Sequence, residues 1–290
     1  MTFERHLEDN LFTLQEELMV GVYRHSPYEP FTIHDPKQRT IHKATVKDRV
    51  VHQAIVNVIE SLFEPRFIFD SYSCRVNKGT HAAVKRLRRF LRRASENNTH
   101  TIYALKCDIR KFFASVDHTV LKELLKKRID SPGMIHIIED VIDSFQVLPG
   151  MGIPLGNLTS QLFANVYLHE LDWFVKQKLG IKYYLRYCDD FVLLANSPKS
   201  CADLIKRIDD FLRDRLRMQL HPNKVHIRTW NQGVDFLGYI SLPYATILRP
   251  STERRALRNV NIDNASSYLG LCKHADAYLI EKMIRNQTSS

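Results

Sequence analysis

Two adjacent aspartates, Asp189 and Asp190, stand between two apolar segments, KYYLRY and FVLLA, within residues 182–195. These segments predict two short strands joined through the aspartates. Asn-Gly or Asp-Gly would make a more favourable tight turn, and neighbouring carboxylates repel each other unless a cation lies close to them. A divalent metal ion would supply that cation, and oxygen ligands suit Mg²⁺. An ordinary polar turn is the alternative interpretation.

A third carboxylate, Asp108, closes the apolar-rich segment 101–107, which predicts another short strand. If this strand pairs with the 182–195 hairpin, three carboxylates meet at one end of a sheet. Three carboxylates can hold two metal ions about 3.5–4 Å apart, which is the arrangement of two-metal phosphoryl transfer. One ion would lower the pKa of a primer 3′-hydroxyl, and the other would stabilise departing pyrophosphate.

The rest of the chain predicts helices and short strands without a regular βαβα alternation. This order favours an α+β fold in which a small antiparallel sheet is backed by helices, with helical lobes on either side. The predicted helices are 49–64, 80–95, 119–145 with a break at 131–133, about 159–178, 199–218 and much of 249–285; further strands are 224–229 and 234–240.

The chain is basic, with a formal net charge of +10 over 290 residues, which favours a polyanionic partner. The predicted helix 80–95 concentrates this charge, and like charges one turn apart repel each other. A nearby phosphate backbone would relieve the repulsion, whereas the alternative is a solvated helix face. The cations are Lys85, Arg86, Arg88, Arg89, Arg92 and Arg93.

Five widely spaced cysteines form no CxxC pair, which indicates free thiols in a reducing compartment rather than a structural zinc site. The longest apolar run falls short of the roughly 18 residues that span a bilayer. The first residues, MTFERHLEDN, are polar and do not resemble a signal peptide. We therefore expect a cytoplasmic protein that does not enter a membrane.

Eight segments resemble motifs of reverse transcriptases and follow in the expected order, and the resemblance runs from about residue 30 to residue 285. YCDD resembles the Tyr-x-Asp-Asp box, and DIRKFFASVD resembles the preceding catalytic-aspartate motif. The segments are 39–41, 47–49 and 75–79 (fingers motifs), DIRKFFASVD at 108–117, GIPLGNLTSQ at 152–161, YCDD at 187–190, LHPNK at 220–224 and FLGY at 236–239.

The resemblance implies an RNA-directed DNA polymerase with the right-hand fold of fingers, palm and thumb. The palm would be the small antiparallel sheet backed by helices, and the thumb would be helical. The implied boundaries are fingers 1–100, the catalytic palm strand 101–118, an insertion with the template-positioning loop 119–160, palm 161–245 and thumb 246–290. The implied partners are template RNA, the primer–cDNA duplex and deoxynucleotides.

The resemblance also assigns site residues. Two Mg²⁺ ions, with Mn²⁺ as an alternative, would bind at Asp108, Ile109, Asp189 and Asp190, of which the three aspartates are catalytic. The residues that would bind the incoming nucleotide are Lys47, Arg49, Phe113, Gln161 and Lys224. Those that would contact template or primer are Arg39, Arg75, Gly152, Gly156, Asn157, Ser160, Arg88, Arg89, Arg92, Arg254 and Arg258.

Alternatives remain for some of these residues. Phe113 falls at the steric-gate position that excludes a ribose 2′-hydroxyl, but neighbours on a strand face opposite ways, so we expect Phe112 or Phe113 to be core. Lys47 and Arg49 could form a helix-entry salt bridge with Asp48 instead of binding phosphate. Lys224 could neutralise or protonate pyrophosphate, or could be a simple surface lysine.

Ser160 is followed by Gln161 where most reverse transcriptases have proline. The serine–glutamine pair resembles reverse transcriptases of diversity-generating retroelements, as do the segments 48–52, 71–81 and 267–275. This subtype implies a low-fidelity enzyme that misincorporates opposite adenine and works with a small basic accessory protein. The alternatives are a stand-alone or defence-associated bacterial reverse transcriptase, a template-independent polymerase, and a catalytically silent nucleic-acid-binding scaffold.

Overall fold

The computed structural model describes residues 2–34 and 37–288, which form a mixed structure of helices and antiparallel sheets. The helices are α1 (Thr2–Arg5), α2 (Leu7–Met19), α3 (Val46–Phe63), α4 (Thr80–Ala94), α5 (Phe112–Ser115), α6 (His118–Lys126), α7 (Pro132–Asp143), α8 (Leu158–Trp173), α9 (Pro198–Leu216), α10 (Pro250–Asn259), α11 (Ala265–Cys272) and α12 (Tyr278–Thr288). The strands are β1 (Glu29–Ile33), β2 (Arg39–Lys43), β3 (Tyr103–Asp108), β4 (Tyr184–Tyr187), β5 (Asp190–Ala195), β6 (His226–Thr229), β7 (Val234–Phe236), β8 (Tyr239–Ser241) and β9 (Thr246–Leu248).

The described residues divide into two compact units. The first lies within Met1–Phe69, Ile109–Gly180 and Arg207–Pro222, and the second within Asp70–Asp108, Ile181–Lys206 and Asn223–Ser290. The predicted division into fingers, palm and thumb stays a prediction, because compactness alone does not assign those names. No helix in the described part of the chain is both long and apolar enough to span a bilayer.

The first unit is built around α8, which packs against α3 and α6. Most side chains of α8 are buried, including Phe163, Val166 and Tyr167, so the helix is a core element rather than a surface one. The Tyr167 hydroxyl donates a hydrogen bond of 2.7 Å to the Leu216 carbonyl, which satisfies its buried polar group. Strands β1 and β2 form a separate antiparallel hairpin in this unit.

The second unit contains a four-stranded antiparallel sheet in the order β4-β5-β3-β6. Helix α4 buries its apolar stripe in the same core cluster as residues of this sheet; the stripe includes Leu87 and Leu91, and the strand residues include Ala104 and Val192. A three-stranded sheet, β7-β8-β9, follows it, and helices α10–α12 complete the unit. The sequence prediction of an α+β fold with a small antiparallel sheet is therefore confirmed.

Most predicted helices are confirmed to within a few residues. The predicted break at 131–133 is real, because the side chain of Ser131 caps the start of α7 by accepting a hydrogen bond from the Met134 N–H. The continuous strand predicted at 234–240 is wrong. It is split into β7 and β8 by a turn at Leu237 and Gly238, whose φ angles are 52° and 89°.

The predicted strand position of Phe112 and Phe113 is wrong, because both residues begin the short helix α5. The strand ends at Asp108, and Lys111 adopts a left-handed φ of 47° before the helix starts. Phe112 is nevertheless buried and Phe113 is half-buried. One of the two is therefore a core residue as expected, although the alternation argument that led there does not apply.

Candidate active site

Asp108 and Asp190 lie directly opposite each other on the paired strands β3 and β5. Tyr187 pairs with Asp190 across β4 and β5, so Cys188 and Asp189 form a two-residue turn between these strands. Cys188 has a φ of 54°, as the first residue of a type II′ turn requires. The predicted pairing of the Asp108 strand with the hairpin is confirmed, and it places all three aspartates at one end of the sheet.

A buried arginine supports this turn. Arg186 on β4 is fully buried, and its guanidinium donates a 3.1 Å hydrogen bond to the carbonyl oxygen of Cys188. A buried charged hydrogen bond of this kind is costly to break, because the remaining group would be left without a partner. Arg186 therefore fixes the backbone that carries Asp189.

Two lysines form ion pairs with these carboxylates. The Lys106 Nζ is 3.3 Å from Asp190 Oδ2, and the Lys224 Nζ is 2.9 and 3.0 Å from the two carboxylate oxygens of Asp108. Burial, together with the charges of Asp108 and Asp189, raises the pKa of Asp190 to about 7 against the opposing effect of Lys106. Burial, followed by the charge of Asp108, also raises the pKa of Asp189. The end of the sheet therefore carries excess negative charge in a poorly hydrated place.

The donor chemistry of this cluster fits a hard divalent cation. Carboxylate oxygens are the ligands that Mg²⁺ prefers, and the buried Oδ1 of Asp190 has no hydrogen-bond partner in the described structure. Within residues 2–34 and 37–288, however, no three His, Cys, Asp or Glu side chains already enclose a metal position. Instead, the ammonium groups of Lys106 and Lys224 form ion pairs with the carboxylates, so metal ions would have to displace these groups in order to bind. Ile109, which follows Asp108, is buried and forms a bridge with Leu220 in the first unit.

Lys47 and Arg49 lie at the start of α3, where Thr45 caps the helix. Asp48 between them is fully buried and accepts hydrogen bonds from the Tyr23 and Thr45 hydroxyls at 2.7 and 2.5 Å. Burial opposes ionisation of Asp48, but these hydrogen bonds outweigh it and lower the pKa. The alternative of a salt bridge to Asp48 is therefore wrong: Lys47 pairs with Glu17 at 2.5 Å, and Arg49 is exposed.

The structure brings Arg49 together with Gly156 and Asn157, which line one groove of the first unit. The Asn157 side-chain amide donates a 2.8 Å hydrogen bond to the His42 carbonyl, and the His42 N–H donates to the Leu155 carbonyl at 3.0 Å. These bonds fix the loop before α8 against β2. Gly156 has a φ of 101°, which side chains rarely adopt.

The remaining predicted residues are dispersed over both units. In the first, Arg39 is exposed on β2, Gly152 is buried with a φ of 104°, Ser160 is buried in α8 and Gln161 is exposed there. In the second, Arg75 donates to the Ser71 carbonyl at 2.9 Å. The other predicted site arginines of the second unit are exposed on their helices, namely Arg88, Arg89 and Arg92 on α4 and Arg254 and Arg258 on α10.

Sequence reasoning missed Lys106 and Arg186. A signal for Lys106 existed, because residues two apart on a strand share a face, and Lys106 is two residues before Asp108 in an otherwise apolar strand. Diagonal cross-strand neighbours then bring it to Asp190. Arg186 offered no comparable signal, since its burial depends on contacts made elsewhere in the fold.

Solved structures with a similar fold include telomerase from Candida tropicalis in complex with a fragment of telomeric RNA. That chain superposes with a TM-score of 0.57 at 11% identity, over 96% of this chain and 56% of its own length. Telomerase from Candida albicans gives 0.56 at 9% identity, over 92% and 55%. The chain thus has the right-hand polymerase fold, as the sequence predicted.

The reverse transcriptase (RNA-dependent DNA polymerase) family model matches residues 33–241, and the chain belongs to that family. It therefore carries an RNA-directed DNA polymerase domain. Protein YkfC of Escherichia coli is 24% identical over 81% of this chain and 72% of its own length. The group II intron-encoded protein LtrA of Lactococcus lactis is 23% identical over 80% and 49%, so the chain spans about half of LtrA.

Gly156→Ala should lower the melting temperature more than Gly150→Ala. Both glycines have positive φ, which costs an alanine about 1–2 kcal/mol, but only at Gly156 would the new Cβ lie 2.5 Å from Ile41 Cγ2. Thermal unfolding of the two variants isolates the contact. In an Ile41→Ala background the cost of Gly156→Ala should shrink, and equal costs in both backgrounds would contradict this packing.

Proposed function

We propose that this chain copies an RNA template into complementary DNA, and that Asp108, Asp189 and Asp190 hold two divalent metal ions for that reaction. The observation that carries the proposal is the pairing of Asp108 directly opposite Asp190, whose buried Oδ1 has no hydrogen-bond partner in the described structure. Mg²⁺ fits these ligands, and Mn²⁺ is the alternative. When bound, such ions activate the primer 3′-hydroxyl and stabilise charge on the departing pyrophosphate.

The chain's own side chains would bind and orient the reactants. Lys47 and Arg49 would contact the triphosphate of the incoming nucleotide, since arginine binds phosphate through a planar fork and lysine as a point charge. Lys224, released from Asp108, would neutralise pyrophosphate. The residues that would contact template and primer are Arg39, Arg75, Gly152, Gly156, Asn157, Ser160, Arg254 and Arg258.

Asp189→Asn should reduce primer extension on a defined RNA template by at least about a hundredfold, because losing a metal ligand removes several kcal/mol of transition-state stabilisation. RNA binding and thermal unfolding should change little. Asp203→Asn, at an exposed position in the second unit, is the matched control and should extend normally. Extension by Asp189→Asn at the parent rate would end the assignment of this metal site.

Phe113 would exclude the ribose 2′-hydroxyl. Its ring is only half-buried and can contact a nucleotide, whereas Phe112 is buried in the core. Phe113→Val should raise ribonucleotide relative to deoxynucleotide incorporation by about tenfold or more, within the range for discrimination by fit. Phe113→Tyr keeps the ring and should keep the discrimination. The measurement is single-nucleotide extension with each sugar, and unchanged selectivity in Phe113→Val would place the gate elsewhere.

We further propose that the enzyme is error-prone and belongs to a diversity-generating retroelement, with a small basic accessory protein as partner. The support is Gln161, which takes the place usual for proline. Its backbone N–H donates to the Asn157 carbonyl at 3.3 Å in the first turn of α8. Proline would remove that bond and would restrict the backbone of Ser160. Glutamine keeps the bond to the Gly156–Asn157 loop and leaves Ser160 without that restriction.

Copying a mixed-sequence RNA, with the accessory protein supplied, should give errors opposite template adenine at least about tenfold above those at the other bases. The general loss of fidelity follows from weaker discrimination by shape, worth about 1–3 kcal/mol; the adenine preference follows from the family resemblance alone. Gln161→Pro should lower the total error frequency, and Gln161→Ala should not. Uniformly low errors in the sequenced cDNA would instead support a stand-alone or defence-associated reverse transcriptase.

A further inference from the structure

A basic groove in the second unit lies apart from the catalytic carboxylates. We define the basic groove by Lys85, Arg88, Arg89, Arg92, Trp230 and Tyr244, which line one cavity. Its cations come from α4, Trp230 follows directly after β6, and Tyr244 lies in the turn between β8 and β9. Elements that are distant in sequence therefore build this surface together.

The basic groove lies at the opposite end of the four-stranded sheet from Asp108. Thr229, the last residue of β6 and the neighbour of Trp230, pairs with Tyr103, the first residue of β3, whereas Asp108 is its last. A strand of six residues spans about 17 Å at its usual rise. Groups bound in the basic groove are therefore too far from the carboxylates to take part in the reaction there.

The cations of the basic groove lack acidic partners. Lys85, Arg88 and Arg89 are exposed and form no ion pair within the described part of the chain, whereas the adjacent Arg86 pairs with Asp70 at 2.7 Å. Lys85, Arg88 or Arg89, and Arg92 follow one another at about one helical turn, roughly 5 Å. Such a row of like charges is self-repelling, and a polyanion along it would be stabilising.

The loop after α4 adds to this arrangement. Glu96, Asn97 and Asn98 have consecutive positive φ angles of 50°, 60° and 70°, a conformation that asparagine tolerates but that is strained for glutamate. The Arg92 Nε–H donates a 2.7 Å hydrogen bond to the side-chain oxygen of Asn97, which lies in this loop. Because asparagine is neutral, it holds the guanidinium group in place without offsetting the positive charge of the groove.

Aromatic groups complete the basic groove. Tyr244 is 86% exposed, although its turn is closed by a 2.8 Å hydrogen bond from the Leu242 N–H to the Ala245 carbonyl. An exposed ring on a fixed turn beside cations is the arrangement that stacks nucleic-acid bases. Trp230 also lines the basic groove but is buried, and its indole N–H has no acceptor in the described structure.

We propose that the basic groove binds an unpaired polynucleotide segment outside the polymerase centre. Its phosphates would contact Lys85, Arg88, Arg89 and Arg92, and one of its bases would stack on Tyr244. A base that is paired in a duplex cannot stack on a side chain in this way, which favours a single strand. The inference deepens the proposed function by assigning these arginines to an anchor for unpaired template RNA or new cDNA.

The test uses the full chain saturated with a hairpin primer–template whose 3′ end is blocked, so that the polymerase centre is filled. A fluorescent, unstructured RNA of about twelve nucleotides should still bind, as measured by anisotropy. Tyr244→Ala should weaken this binding about tenfold, and Tyr244→Phe, which keeps the ring, should preserve it. Arg88→Gln with Arg92→Gln should weaken it and reduce the log–log salt slope by about one to two.

The matched control is Lys127→Gln with Arg128→Gln, which removes two exposed cations of the first unit and should leave binding unchanged. Tighter binding of RNA than of DNA of the same sequence would support the template as occupant, and the reverse would support the cDNA. Displacement of the oligonucleotide by the hairpin, preference for a duplex, or full binding by Tyr244→Ala would overturn the proposal. Asp189→Asn should bind the oligonucleotide normally, so the anchor and the polymerase assignment can fail separately.

Discussion

Repulsion between carboxylates at the end of one sheet is the constraint on which the rest of the second unit depends. Strand pairing places Asp108 opposite Asp190, and the two-residue turn adds Asp189 beside them. Neither burial nor proximity favours three negative charges here, and the raised pKa of Asp190, about 7, reflects that cost. The sheet, the left-handed Cys188 and the buried Arg186 nevertheless hold the backbone in place.

Two lysines offset this cost in the structure, and their positions differ. Lys106 extends from a central strand and is mostly buried, whereas the Lys224 side chain is 44% exposed and comes from the segment before β6. A lysine on a rigid strand can move only its side chain, while one on a connecting segment can move its backbone as well. If cations enter, Lys224 is therefore the ammonium group more easily redirected toward an anionic leaving group.

Sequence patterns sufficed where the physical signal was local. Apolar segments next to Asp108 and to the Asp189–Asp190 pair predicted the strands and their pairing, and amphipathic periodicity predicted α3, α4 and α8. The β1–β2 hairpin was missed because its residues are almost all exposed, so neither strand has a buried face that would mark it. The Tyr23–Asp48 hydrogen bond joins residues that are 25 positions apart in the sequence, and no local sequence pattern predicts such a partner. The roles of the site residues came from family resemblance rather than from periodicity.

Opposite charges lie near the two ends of the four-stranded sheet. Carboxylates cluster where β3 ends, and unpaired cations of α4 cluster near where it begins. The length of the strand, about 17 Å, exceeds the screening length of about 8 Å in physiological salt, so the two clusters hardly neutralise each other. Each end can therefore keep the binding preference that we propose for it, small divalent cations at one end and a phosphate chain at the other. The six residues of β3 are enough to keep the proposed metal site apart from the proposed phosphate-binding groove.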